Sequence, residues 1–191
     1  QNDSITTTYQ LEGVKIYGSK QPVNALSLQP IQSFDNQQMQ QLGFHRISDA
    51  VKYFAGVAVK DYGGQGGLKT ISLRGLSSHH TAVSYDGLIL SNLQAGQIDI
   101  GRFTTDGVTQ TSVALGHSSA LLQTARHYAS AGILIIETDG KAFLYSNKHA
   151  SVNGSLTLGS FNYYQPAFRL WQKINPKTSF GANITYIKSK G

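Results

Sequence analysis

The chain has 191 residues, 40% of them hydrophobic but only 14% charged, with 20 Gly, no Cys and a formal net charge of +6. The charged fraction lies well below the ~25% of ordinary soluble proteins, and neutral Ser, Thr, Gln and Asn fill the gap, which excludes highly charged disorder. The missing Cys excludes a disulfide framework and thiolate metal sites, and the longest apolar runs, such as Ile133 to Ile136, fall far short of the ~20 residues a membrane-spanning helix needs.

Residues 1–10 lack periodicity and apolar content, which predicts a flexible tail. They also lack a basic n-region and an apolar h-region, as expected of a cytosolic protein or of a mature chain whose signal has been removed. Leu11-Glu12-Gly13-Val14-Lys15-Ile16-Tyr17 alternates, with Val14 and Ile16 on one face, and reads as a short strand ending at Gly18. Asp35 is a suitable N-cap for a helix over Asn36 to Leu42 closed by Gly43, and Ser48 for a second over Asp49 to Ala55 closed by Gly56. Strands are then expected at Val57 to Lys60, Thr70 to Leu73, Ala82 to Tyr85, Leu88 to Leu90, Val108 to Leu115 and Ile133 to Thr138. Asp86-Gly87 between two of them fits a type I′ hairpin turn, because both residues tolerate positive φ. This part of the chain reads as a small α+β domain.

From residue 151 the texture changes to three alternating segments of about ten residues. Val152, Gly154, Leu156 and Leu158 alternate with Asn153, Ser155 and Thr157. Tyr164, Phe168 and Leu170 alternate with Gln165, Arg169 and Trp171, and Phe180, Ala182, Ile184 and Tyr186 with Gly181, Asn183 and Thr185. An outer-membrane barrel demands this pattern, and a soluble β-sandwich shares it, so the period alone does not choose between them. All ten acids lie between Asp3 and Asp139, whereas residues 140–191 carry seven basic residues and no acid. Those bases form no run, which argues against a nucleic-acid arm.

Four constellations invite chemistry. Gly63-Gly64-Gln65-Gly66-Gly67 could cradle a phosphate, but a strand follows where that role needs a helix. Gly116-His117-Ser118-Ser119-Ala120 follows an apolar strand and could be the elbow of a serine esterase, with Asp139 and His149 in triad order, although no Gly-rich oxyanion segment precedes it. His79 and His80 are adjacent, so in a strand they could not jointly grip a metal. Arg74 ends an apolar strand and, once desolvated, wants a carboxylate; Asp86 is one local candidate, and an exposed rim position is the alternative.

Taken in order, Leu11 to Tyr17, Ile47-Ser48-Asp49-Ala50-Val51-Lys52-Tyr53-Phe54-Ala55-Gly56-Val57, the Gly-rich loop, Ile71-Ser72-Leu73-Arg74-Gly75, Val83-Ser84-Tyr85-Asp86-Gly87 and Gly132-Ile133-Leu134-Ile135-Ile136-Glu137-Thr138 resemble the plug of TonB-dependent outer-membrane transporters. Asp61-Tyr62-Gly63-Gly64, Ser91-Asn92-Leu93-Gln94-Ala95-Gly96 and Gln97-Ile98-Asp99-Ile100 are similar to cobalamin-type receptors of that family. One departure stands out: the Arg-Gly-Pro and Tyr-Gly common before the last plug strand are replaced here by Leu115-Gly116-His117-Ser118-Ser119-Ala120 and Ala125-Arg126-His127-Tyr128-Ala129.

The resemblance implies an α+β plug over residues 11–139, a small mixed sheet with short helices, followed over 140–191 by the first antiparallel strands of a transmembrane β-barrel. Three strands cannot close a barrel, so it also implies a portion of a larger receptor. It implies no enzyme activity, no catalytic or metal-ligating residue and no cofactor. Leu11, Glu12, Gly13, Val14, Lys15, Ile16 and Tyr17 would meet TonB, driven by its inner-membrane motor complex. Tyr62, Gly63, Gly64, Gln65, Gly66, Gly67, Ser78, His79, His80, Ser91, Asn92, Leu93 and Gln94 would meet a bulky ligand, cobalamin or another corrinoid, otherwise a siderophore or glycan. Arg74 and Asp86 would form a charge pair in the plug core, a surface lipoprotein lid is a candidate partner, and the expected location is the bacterial outer membrane with the N-terminus periplasmic.

Overall fold

A computed structural model of the protein describes residues 31–64, 66–92, 96–116 and 124–190. The expectations for the tail 1–10 and for Leu11 to Tyr17 lie outside the described residues, as do Gln65, Leu93, Gln94 and the centre of the elbow-like turn at Ser118. In chain order the strands are β1 (Ile31–Asp35), β2 (Val57–Asp61), β3 (Lys69–Leu73), β4 (Thr81–Tyr85), β5 (Leu88–Leu90), β6 (Val108–Leu115), β7 (Gly132–Thr138), β8 (Ala150–Gly159), β9 (Tyr163–Asn175) and β10 (Thr178–Thr185). Among the described residues, four short helices, α1 (Asn36–Gln41), α2 (Ile47–Val51), α3 (Ala125–Tyr128) and α4 (Gly140–Leu144), and single 3₁₀ turns at Ser78–His80 and Ile100–Arg102 lie between them.

Five strands form a mixed sheet in the order β1-β6-β7-β4-β5, in which only β4 and β7 run parallel. The β4–β5 hairpin turns through Asp86 (φ 49°) and Gly87 (φ 89°), both left-handed as a type I′ turn requires. One face buries Val83, Val113, Leu134 and Ile136 against Met39 of α1, Ile47 and Val51 of α2, and Ile100. The other face carries a smaller cluster around Ala82, Ala114 and Ile133. Val57 to Asp61 and Lys69 to Leu73 form a separate two-stranded ribbon.

Two local expectations need correction, and one strand was not anticipated. Helix α1 has the Asp35 cap, completed by a capping box with Gln38, but Leu42 is its C-cap and not its last residue. Helix α2 starts at Ile47, not Asp49, and stops at Val51, not Ala55, while Ser48 is buried inside it instead of capping it. Tertiary contact sets that position: the Ile47 amide donates to Phe103 O at 3.0 Å, and Ile47, Ala50 and Val51 fill the core. Strand β1 has only two apolar residues. It is held by Phe34 stacked on Phe54, with ring centroids 5.1 Å apart, and by Gln32, which bonds both Ala55 O (3.0 Å) and Ala55 N (2.7 Å).

The last three strands form an antiparallel sheet in the order β10-β9-β8. Its burial is inverted. Val152, Leu156, Leu158 and Ile184 are 58–69% exposed, whereas Gln165, on the face turned toward the mixed sheet, is 2% exposed. A sandwich would bury the apolar face, so the soluble alternative fails on this point. No helix among the described residues is long and apolar enough to cross a membrane.

The two serine and aspartate positions differ in a measurable way. Asp35→Ala, which removes the side-chain acceptor of the Gln38 amide from a capping box, should lower stability by about 1 kcal/mol. Ser48→Ala should be neutral or stabilising, because the buried Ser48 hydroxyl has no hydrogen-bond partner; urea unfolding of the two variants checks the difference.

Candidate functional site

The β2–β3 ribbon ends with Asp61 opposite Lys69, which places the Gly-rich loop on a closed root. Tyr62 N donates to Leu68 O at 2.9 Å. Asp61 Oδ1 accepts from Gly63 N (3.2 Å) and Gly64 N (3.0 Å), while its Oδ2 takes the Lys69 ammonium at 2.6 Å. The Lys69 hydrogen bond, then the Gly63 amide, hold the Asp61 carboxyl below its ordinary 3.8, at about 2. A Cβ on Gly67 would meet the Gly63 backbone at 2.5 Å, so the loop can close this tightly only with glycine there.

The loop borders a cavity of about 650 Å³ shared by Gly63, Gly64, Gly66, Gly67, Arg46, Asp99, Arg102 and Ser189. Asp99 ties that rim together: its Oδ1 accepts from Lys69 N (3.0 Å) and Gly101 N (2.9 Å), and its Oδ2 pairs with Arg102 Nε at 3.1 Å. Arg46, Asp99, Arg102 and Ser189 escaped the sequence reading as site residues. The segment Gln97 to Ile100 carried a signal only through resemblance, and Ser189 lies beyond the alternating pattern.

A second group of expected ligand residues gathers elsewhere. His79 Nε2 lies 2.9 Å from Gln97 Nε2, and a Cβ on Gly96 (φ 64°) would come within 2.9 Å of the same ring, so the Ser78–His80 turn packs against Gly96 and Gln97. Tyr62, His79, His80, Ser91 and Asn92 are exposed. Arg74 and Asp86 do not form the expected core pair. Arg74 is exposed at a left-handed position (φ 51°), and both Asp86 carboxylate oxygens are taken by Thr138, from its amide and its hydroxyl, each at 2.7 Å. Asp139 is likewise committed, accepting from Trp171 Nε1 at 2.8 Å and pairing with Arg169 at 3.2 Å, so it is not the acid of a triad with His149.

Those Asp139 contacts join the mixed sheet to the polar face of β9. Asp106, just before β6, reaches both β9 and β8, accepting from Gln165 Nε2 (2.8 Å) and Ser155 Oγ (3.1 Å). Glycines make the approach possible: a Cβ on Gly107 would clash with Arg169, and one on Gly140 or Gly181 with the Trp171 ring. Among the described residues no three His, Cys, Asp or Glu side chains come together to hold a metal.

The family model of the TonB-dependent receptor plug domain matches residues 23–126. The chain is similar to the vitamin B12 transporter BtuB of Vibrio vulnificus (strain YJ016), 27% identical over 154 residues, which cover 81% of this chain and 24% of that protein. It therefore spans about a quarter of that relative's length. Among solved structures it is similar to the FrpB iron transporter from Neisseria meningitidis (F3-3 variant), with TM-score 0.57, 18% identity and coverage of 76% of this chain and 22% of that one. The copper transporter OprC gives TM-score 0.54, 18% identity and coverage of 75% and 21%. The alcaligin outer-membrane receptor FauA from Bordetella pertussis gives TM-score 0.52, 13% identity and coverage of 82% and 26%. At these identities the structures speak for the fold alone.

The depressed Asp61 carboxyl makes the root of the Gly-rich loop acid-sensitive with a defined sign. Because its folded value is lowered, its contribution is complete above about 3.8 and is lost as pH falls through about 2. Gly63 and Gly64 amide resonances should move with a midpoint near pH 2, not near the ordinary 3.8, and Asp61→Asn should leave them displaced at every pH; NMR titration is the check.

Proposed function

Because this chain belongs to the TonB-dependent receptor plug domain family, we propose that it is the plug and first wall strands of an outer-membrane transporter that captures a scarce, bulky solute and passes it to the periplasm on work delivered by TonB. The observation that carries this reading is the inverted β8–β10 sheet, apolar and bare outside, polar and packed on the plug inside. An open sheet edge has unsatisfied amides in lipid, so these strands need the rest of a barrel beside them. The plug lies in its lumen, and the N-terminal end faces the periplasm.

An outer membrane has no nucleotide pool, so the work comes mechanically from an inner-membrane motor complex acting through TonB. Leu11 to Tyr17 suits this coupling, since an extended alternating segment can add to a partner's sheet edge. The solute is met by Tyr62 and the Gly-rich loop, by Ser78 to His80 and by Ser91 to Gln94, where bare backbone approaches closely and Tyr62 adds a flat face that is 61% exposed. Solute contact then shifts the plug's population toward release of the N-terminal segment. The likeness to a vitamin B12 transporter supports a corrinoid as the solute. A siderophore or glycan receptor is the second reading. A surface lipoprotein lid fits either solute. The chain works as a carrier and not as an enzyme.

Removing residues 11–17 from the full receptor should abolish cyanocobalamin uptake while leaving its binding to cells nearly unchanged, and a deletion variant that still accumulates it would refute the coupling. Tyr62→Ala together with Asn92→Ala should weaken cyanocobalamin binding roughly tenfold, about 1.4 kcal/mol, in equilibrium binding to isolated outer membranes.

A further inference from the structure

Beyond β10 the chain stays extended and remains pinned to β9. Tyr186 N donates to Pro166 O at 3.0 Å, Lys188 and Tyr164 exchange both backbone bonds at 2.9 Å, and Lys190 N donates to Phe161 O at 2.9 Å. Side chains of an extended segment alternate between two faces. Ile187 and Ser189 accordingly border the Gly-rich cavity, whereas Tyr186, Lys188 and Lys190 are exposed on the outer face, in line with Phe180 and Ile184.

That outer face changes character over a short distance. Ile184 and Phe168 are bare and apolar, Tyr186 and Tyr164 come next, and Lys188 and Lys190 follow, rooted about 7 Å apart along the strand direction. An apolar band, a tyrosine girdle and then a cationic rim is the order in which a membrane wall meets hydrocarbon, interface and headgroups. A lysine at such a boundary can lay its methylene stem along apolar surface and hold its ammonium at headgroup level. Among the described residues no ion pair engages either lysine, and residues 140–191 hold no acid.

The leaflet follows from the alternation. Ile187 and Ser189 reach the cavity at which the solute is met, so the two lysines lie at the solute-entry end of the wall and hence in the outer leaflet; Lys148 and Lys177 are exposed at the opposite end. We propose that Lys188 and Lys190, with Tyr164 and Tyr186 beneath them, form a site for the phosphorylated headgroup of an outer-leaflet glycolipid. The proposal rests on the plug-and-wall reading above. Charge complementarity selects this occupant: the two ammonium groups, with three N–H donors each, can converge on one phosphate, and a neutral headgroup would leave both charges unanswered.

The test uses the full receptor, extracted from outer membranes in mild detergent and titrated with lipid A in native mass spectrometry. The unaltered receptor should bind lipid A, and Lys188→Gln combined with Lys190→Gln should weaken that binding roughly tenfold or more. Lys177→Gln, in the turn at the other end, should leave it unchanged. Dephosphorylated lipid A should bind the unaltered receptor as weakly as lipid A binds the double variant, and this arm decides the question independently of how any variant folds. Inorganic phosphate should not displace lipid A, because it lacks the acyl chains that lie along the apolar band. Equal binding of the two lipids, undiminished binding by the double variant, or displacement by inorganic phosphate would overturn the headgroup site. A receptor that does not fractionate with the outer membrane would overturn the wall reading and this proposal together, whereas one that does, yet binds both lipids alike, would overturn this proposal alone.

Discussion

The inversion of the β8–β10 sheet governs the rest of this molecule. A sheet in water hides its apolar face, yet here Val152, Leu156, Leu158, Phe168 and Ile184 stand free while Gln165 and Ala167 are covered. At about 25 cal/mol per Å² of apolar surface, leaving such a face in water is unfavourable. The arrangement is stable when hydrocarbon meets the bare side and a polar body fills the other. The plug is that body, and its surface is built to match: carboxylates at Asp106 and Asp139 answer amide, hydroxyl, indole and guanidinium groups on the wall.

Those two carboxylates sit at one end of the β6–β7 pair, where the Asp139 amide also donates to Gly107 O at 3.1 Å. They seat the central strands of the mixed sheet on β9 while the Gly-rich loop lies at the other end of the wall, near Ile187 and Ser189. The glycines at 107, 140 and 181 matter as much as the charges, since a single methyl group at any of them would push Arg169 or Trp171 out of place.

Much of this was legible in the residues, and the failures have physical causes. Strands with strong β-branched runs, such as Val108 to Leu115 and Ile133 to Thr138, announced themselves, and Asp86-Gly87 specified its turn. Strand β1 did not, because its place depends on the distant partners Phe54 and Ala55 and not on local propensity. Ser48 looked like a cap because capping chemistry is local, but the burial of Ile47 and Val51 decided where α2 begins. Arg74 was drawn to Asp86 by charge, whereas Thr138 reached the same carboxylate from the adjacent strand end. Alternation in the last fifty residues gave the strands and their two faces; which face met which solvent became visible only once the plug was seen against Gln165 and Trp171.

The central claim is therefore about solvent, and spin labels in a native outer membrane address it most directly. Nitroxides placed one at a time at Leu156, Thr157 and Leu158 of the full receptor should alternate, with high collision rates for dissolved oxygen and low rates for a water-soluble nickel reagent at positions 156 and 158, and the reverse at 157. Equal access of the nickel reagent to all three positions would mean that the bare apolar face lies in water, and the wall would not be a membrane wall.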